Sequence, residues 1–133
     1  MRRLVSILTL LPFLLAACNF AALSREERVA RRAQARWDAL IRGDIETAYA
    51  YLAPGYRKIK SLERYRRGIH GVGKWREARV ERVTCPEKDV CNVDMQVKVR
   101  LMVPRMGEPI ESVNPVRERW IYKAGEWWYV PES

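Results

Sequence analysis

The stretch Trp120-Ile121-Tyr122-Lys123-Ala124-Gly125-Glu126-Trp127-Trp128-Tyr129 decides how this chain must fold. Aromatic and β-branched residues on either side of Ala124-Gly125 specify a β-hairpin, because such side chains suit a pleated, half-buried surface and glycine supplies the tight turn. With that turn, Lys123 falls opposite Glu126, Tyr122 opposite Trp127, and Trp120 opposite Tyr129. Alternation then collects four aromatics on one face, where cross-strand pairs contribute about 0.5–1.5 kcal/mol beyond their buried area. On the other face Ile121, Trp128 and Val130 form an apolar stripe that needs cover.

Working back from the hairpin, residues 91–103 alternate as a strand does. Val93, Met95, Val97, Val99, Leu101 and Val103 share one face, and Asn92, Asp94, Gln96, Lys98 and Arg100 share the other, so one side is buried and one is wet. A less regular strand is predicted over about 75–85. The segment Pro104 to Pro115, with its prolines and a glycine, reads as a long loop.

The N-terminal half has a helical period. Ser24 and Glu27 have the spacing of a capping box, and Val29, Ala33, Trp37, Leu40 and Ile41 then form one apolar stripe until Gly43 stops the helix, predicted over 25–42. Arg25, Arg28, Arg31, Arg32, Arg36 and Arg42 fall on the other faces, where they are expected to be solvated and to rest on anionic headgroups. Asp44 caps a second helix to about Leu52, ended by Pro54-Gly55, and Ser61 caps a third over about 62–67. Helices first and antiparallel strands after make an α+β domain.

Three groups of residues carry a family resemblance: Trp37-x-x-Leu40-x-x-Gly43-Asp44, Ala48-Tyr49-x-x-Leu52-x-Pro54, and Trp120-x-Tyr122-x-x-Gly125-x-Trp127. Over about 25–130 the chain resembles the NTF2-like (SnoaL-like, cystatin-like) superfamily. The resemblance implies helices laid over the concave face of a curved antiparallel sheet, enclosing a conical cavity that enzymes and binding proteins both use. It also implies dimers through the outer sheet face, which would cover Ile121, Trp128 and Val130.

Fold alone does not select an activity. Family enzymes such as ketosteroid isomerase and scytalone dehydratase place acid–base groups in the cavity, whereas the core strand here offers only apolar residues inward. Glu118 is the exception by periodicity, two residues before Trp120. A carboxylate beside aromatics would have a raised pKa and would serve as a base or hold a cation; the plainer reading is a rim glutamate paired with an arginine. His70 reads as a loop histidine. The pocket candidates are therefore Trp37, Glu118, Trp120, Tyr122, Trp127 and Tyr129. The domain is expected to bind a ligand or partner without catalysis, the alternative being proton transfer by Glu118 or His70; no cofactor or metal is expected.

The start of the chain sets the compartment. Arg2 and Arg3 precede an apolar run from Leu4 to Leu15, then Leu15-Ala16-Ala17-Cys18. The order is that of a secretion signal, and the run is shorter than the roughly 20 apolar residues that span a bilayer. Leu15 to Cys18 resembles the lipobox of bacterial lipoproteins. That resemblance implies a leader over 1–17, a lipid-bearing Cys18 opening a linker over 18–24, and a domain over 25–133. By the same resemblance, to enterobacterial lipoproteins, Asn19 in place of an aspartate implies the outer membrane, on its periplasmic side.

Losing Arg2 and Arg3 lowers the net charge from +9 to +7. The excess suits anionic lipid or an acidic polymer of the envelope, and export disfavours nucleic acid. The remaining chain is enough for one domain and too short for two. With Cys18 assigned to lipid, Cys85 and Cys91 read as a disulfide; a metal site with His70, the only histidine, would lack a fourth ligand and the spacing of structural zinc. Opposing Cys85 to Cys91 would put Arg79 and Glu81 on the core side unless a β-bulge near Glu81–Arg82 resets the phase.

Overall fold

The computed structural model describes residues 22–132. The expected leader over 1–17, Cys18 and the start of the expected linker lie outside the described residues. Among the described residues the chain is α+β, with four helices followed by four antiparallel strands that neighbour one another in chain order.

Helix α1 runs Arg25–Ile41 and opens with the expected capping box, Ser24 accepting from the Glu27 amide while Glu27 accepts from the Ser24 amide. Gly43 follows it at φ +77°, in the left-handed region. Asp44 caps α2 (Ile45–Ala50), which ends two residues before the expected stop, and Ser61 caps α4 (Leu62–Gly68). Helix α3 (Pro54–Ile59) occupies what the sequence marks as a break, because a proline at the first position of a helix has no amide that needs a partner.

The long strands are β1 (Trp75–Glu87) and β2 (Val90–Met102). The predicted bulge is present: Val80 faces Met95 and Arg82 faces Asp94, leaving Glu81 as the extra residue. Past it Val83 meets Val93, and Cys85 and Cys91 form a disulfide. Strand β3 spans Pro109–Lys123, so the expected loop over 104–115 is confined to its first part. Met102 faces Pro109 and Lys98 faces Val113, the alternation of β2 imposing register on a segment whose own composition suggests none. Strand β4 (Glu126–Val130) returns through the predicted turn, with Lys123 opposite Glu126, Tyr122 opposite Trp127 and Trp120 opposite Tyr129. Ala124 and Gly125 have φ of 52° and 81°, the two positive values of a two-residue hairpin turn.

One face of the sheet carries the core. Val29, Ala33, Trp37 and Leu40 of α1 pack with Ala78 of β1, Val93, Met95 and Val97 of β2, and Trp120 and Trp127 of the hairpin. The free edge of β4 is closed by the α2–α3 connection, where the Tyr129 amide donates to the Tyr51 carbonyl and the Ala53 amide to that of Tyr129, both at 2.9 Å. At the start of α1, Arg25 reaches the Glu87 and Lys88 carbonyls of the β1–β2 turn at 3.3 and 3.4 Å.

Candidate functional site

The centre of the core is ionic. Glu118, on the inward face of β3, is 1 % exposed, and Arg36 on α1 is 5 % exposed. The Arg36 guanidinium forms an ion pair with Glu118 Oε1, which also accepts from the Trp37 indole at 2.8 Å; Oε2 accepts from the Trp120 indole at 3.1 Å. Arg36 donates in addition to the Tyr65 hydroxyl at 3.2 Å and lies 3.9 Å from the centre of the Tyr129 ring. Its Nε–H is buried without an acceptor among the described residues.

Each partner is placed by ordinary local rules. Residues 29, 33, 36 and 40 are spaced three or four apart, so a helix that buries Val29, Ala33 and Leu40 carries Arg36 inward too. Glu118 shares the inner face with Val116 and Trp120 by strand alternation. A buried charge requires a partner and hydrogen bonds, and each supplies the other's.

Burial pushes the Glu118 carboxyl above its ordinary value, opposed first by the Arg36 charge and then by the bonds from Trp120, Trp37 and Arg36. The Tyr129 hydroxyl is pushed up to about 12, mainly by burial, with the Glu118 charge acting in the same direction and Arg36 against it. All the polar atoms of the carboxylate are engaged within the protein, which suits it to hold elements together more than to move a proton.

Arg36, Tyr65 and Tyr129 also form part of the wall of a cleft of about 190 Å³, completed by Tyr56 and Lys60 at the end of α3 and by Ile69, Pro131 and Glu132. Ligand pockets for drug-sized molecules run to about 300–1,000 Å³, so this one takes only a small group. Of the pocket candidates from the sequence, Tyr129 lines this cleft and Glu118 stands behind its Arg36 wall. Trp37, Trp120 and Trp127 are 5 %, 0 % and 1 % exposed and fill the core. Tyr122 packs on Trp127, ring centres 5.3 Å apart, yet remains exposed near the hairpin turn.

His70 is exposed in the α4–β1 connection and is not among the residues lining the cleft. Among the described residues no three His, Cys, Asp or Glu side chains converge on one point, and no helix is long and apolar enough to cross a membrane.

Of the arginines expected to be solvated, Arg28, Arg31 and Arg42 are exposed, whereas Arg32 is half-buried and Arg36 buried. Besides Arg36, Arg32 donates to the Trp127 carbonyl at 2.7 Å and pairs with Glu126 at 3.1 Å. Arg32 and Arg57 stand 5.4 and 5.6 Å from the Trp128 ring, so the chain itself gives Trp128 part of its cover. Residue spacing within α1 held the signal for Arg36; a charge on an apolar stripe, with an opposite charge on the inner face of a strand, marks a buried pair.

No protein-family model matches the chain, and no curated protein matches it either. Among solved structures it is similar to the solution structure of a SEC-C motif containing protein from Rhodopseudomonas palustris, with a TM-score of 0.54 and 16 % identity over 75 % of this chain and 73 % of that one. At that identity the likeness is one of fold alone: helices and an antiparallel sheet arranged alike.

Proposed function

We propose that the chain is a membrane-tethered envelope lipoprotein, anchored through Cys18 on the periplasmic side of the outer membrane, whose NTF2-like domain binds a small ligand or a partner without catalysis. The leader and lipobox-like sequence over 1–18 support the anchor. Helices over the inner face of a bulged antiparallel sheet support the NTF2-like assignment. The observation that carries the binding role is the Arg36–Glu118 pair. It fills the middle of the inner face with a carboxylate whose oxygens already accept from a guanidinium and two indoles, leaving a small cleft lined by Arg36, Lys60 and tyrosines.

Intact mass of the chain purified from an exporting bacterial host tests the anchor. The expected species begins at Cys18 and carries acyl mass, and Cys18→Ser abolishes both changes. A retained leader, or an unmodified Cys18 in the processed chain, refutes the reading.

A further inference from the structure

Helix α1 directs three of its five arginines into ion pairs, with Glu26, Glu126 and Glu118. The segment that follows α2 does the opposite. Between residues 57 and 67 stand Arg57, Lys58, Lys60, Arg64, Arg66 and Arg67 against one acid, Glu63. None of the six cations enters an ion pair among the described residues, and Lys58, Arg64, Arg66 and Arg67 are exposed.

Ile59 stands among them at 75 % exposure, on a helix that buries none of its residues. A lone exposed isoleucine is ordinary. Set in a cluster of unpaired cations, it supplies the apolar half of an interfacial contact whose other half is attraction to anionic headgroups.

We infer that the ridge from Arg57 to Arg67 docks on an anionic phospholipid surface, with Lys58, Arg64, Arg66 and Arg67 at headgroup phosphates and Ile59 among the upper acyl chains. The inference rests on the tethered reading, which brings such a surface within reach. The seven residue steps from Cys18 to Arg25 span at most about 24 Å. Arg36, whose guanidinium bonds Tyr65 of α4, lies eleven residues along α1 from Arg25, about 16 Å at the helical rise. The linker is therefore long enough for the domain to lie over and set this ridge on the membrane that holds the lipid.

Every helix, strand and core residue named above lies within residues 22–132, so the chain from Ala22 onward serves as the test protein. It is sedimented with vesicles of phosphatidylcholine alone or mixed with phosphatidylglycerol. Binding is expected for the mixed vesicles only, and to weaken with salt. Each cation at such a surface contributes about fivefold to partitioning, so K58Q/R64Q/R66Q/R67Q is expected to lower it by two to three orders of magnitude. Ile59→Ser is expected to lower it by about tenfold. R28Q/R31Q, on exposed positions of α1, is expected to change it less than threefold.

Undiminished binding by the quadruple variant, or an equal loss per charge in R28Q/R31Q, overturns the inference. So does binding to soluble dextran sulfate as tight as to mixed vesicles together with no effect of Ile59→Ser, which assigns the ridge to an acidic polymer. Thermal unfolding of each variant confirms that the fold is kept, and Ile59→Ser alone decides if the quadruple variant unfolds. A lipid-bearing Cys18 in a host whose ridge variants bind vesicles like the parent refutes the ridge and leaves the anchor standing.

Discussion

Replacing Arg36 with methionine removes one half of the buried pair and leaves Glu118, 1 % exposed, with two indole donors and no countercharge. Breaking a buried pair on one side costs about 3–5 kcal/mol, because the remaining charge has lost its compensation. The loss should depend on pH in a definite direction. Burial already raises the Glu118 carboxyl above its ordinary value, and the Arg36 charge is the largest influence opposing that rise. In R36M the carboxyl therefore climbs further. A carboxyl raised in the folded state binds more protons folded than unfolded, so its contribution is fully present below the unfolded value. It is lost as pH rises to the folded one, by about 1.4 kcal/mol per pH unit. R36M should thus stand closest to the parent in acid and fall away from it toward neutrality.

Urea unfolding followed by tryptophan fluorescence, with parent and variant compared at each pH, measures this directly. R36M/E118Q should recover part of the loss, since the amide oxygen keeps an acceptor for an indole and no charge is stranded. A penalty for R36M that is the same in acid and at neutral pH, or below about 1 kcal/mol throughout, would falsify the account of the pair as a mutually dependent buried unit.

Three further outcomes are expected. Reduction of the Cys85–Cys91 bond, or Cys85→Ser with Cys91→Ser, should cost about 2 kcal/mol in urea unfolding for a loop this short; no change would show that the turn holds without it. A Cβ on Gly71 would meet the Trp75 ring at 2.0 Å, so Gly71→Ala should lower stability by about 1–3 kcal/mol, and a melting temperature equal to the parent's would contradict that close approach. If Ile121 and Val130 on the outer sheet face are completed by a second copy, sedimentation velocity of the domain at micromolar concentration should show a dimer; a monomer removes that face as an interface.

The sequence was most readable where local chemistry and tertiary packing agree. The terminal hairpin, the capping box of α1 and the bulge at Glu81 each follow from a few residues whose preferred conformations coincide with what the core requires. Helix α3 was hidden because Pro54-Gly55 signals a stop to the helix before it and, equally, a start to the one after. The first half of β3 was hidden for a different reason. Pro109 and Pro115 argue against a strand, yet β4 pairs only with Arg119–Lys123, so among the described residues the other edge of β3 over 109–118 has no strand neighbour and tolerates them. In the site, alternation points Glu118 inward, but the structure buries it in the core and not at a rim, and its partner Arg36 is marked by its position on the apolar stripe of α1, which charge alone does not reveal.

The contact of Arg25 with the β1–β2 turn gives the fold a mechanical polarity. Force transmitted along the leading segment enters at Ser24, and within one residue it is shared with the carbonyls of Glu87 and Lys88, inside the loop that Cys85 and Cys91 close. The stiffest covalent element of the domain thus sits beside the point where tugging begins, so strain on the N-terminal segment is passed to two crosslinked strands before it can peel α1 off the sheet.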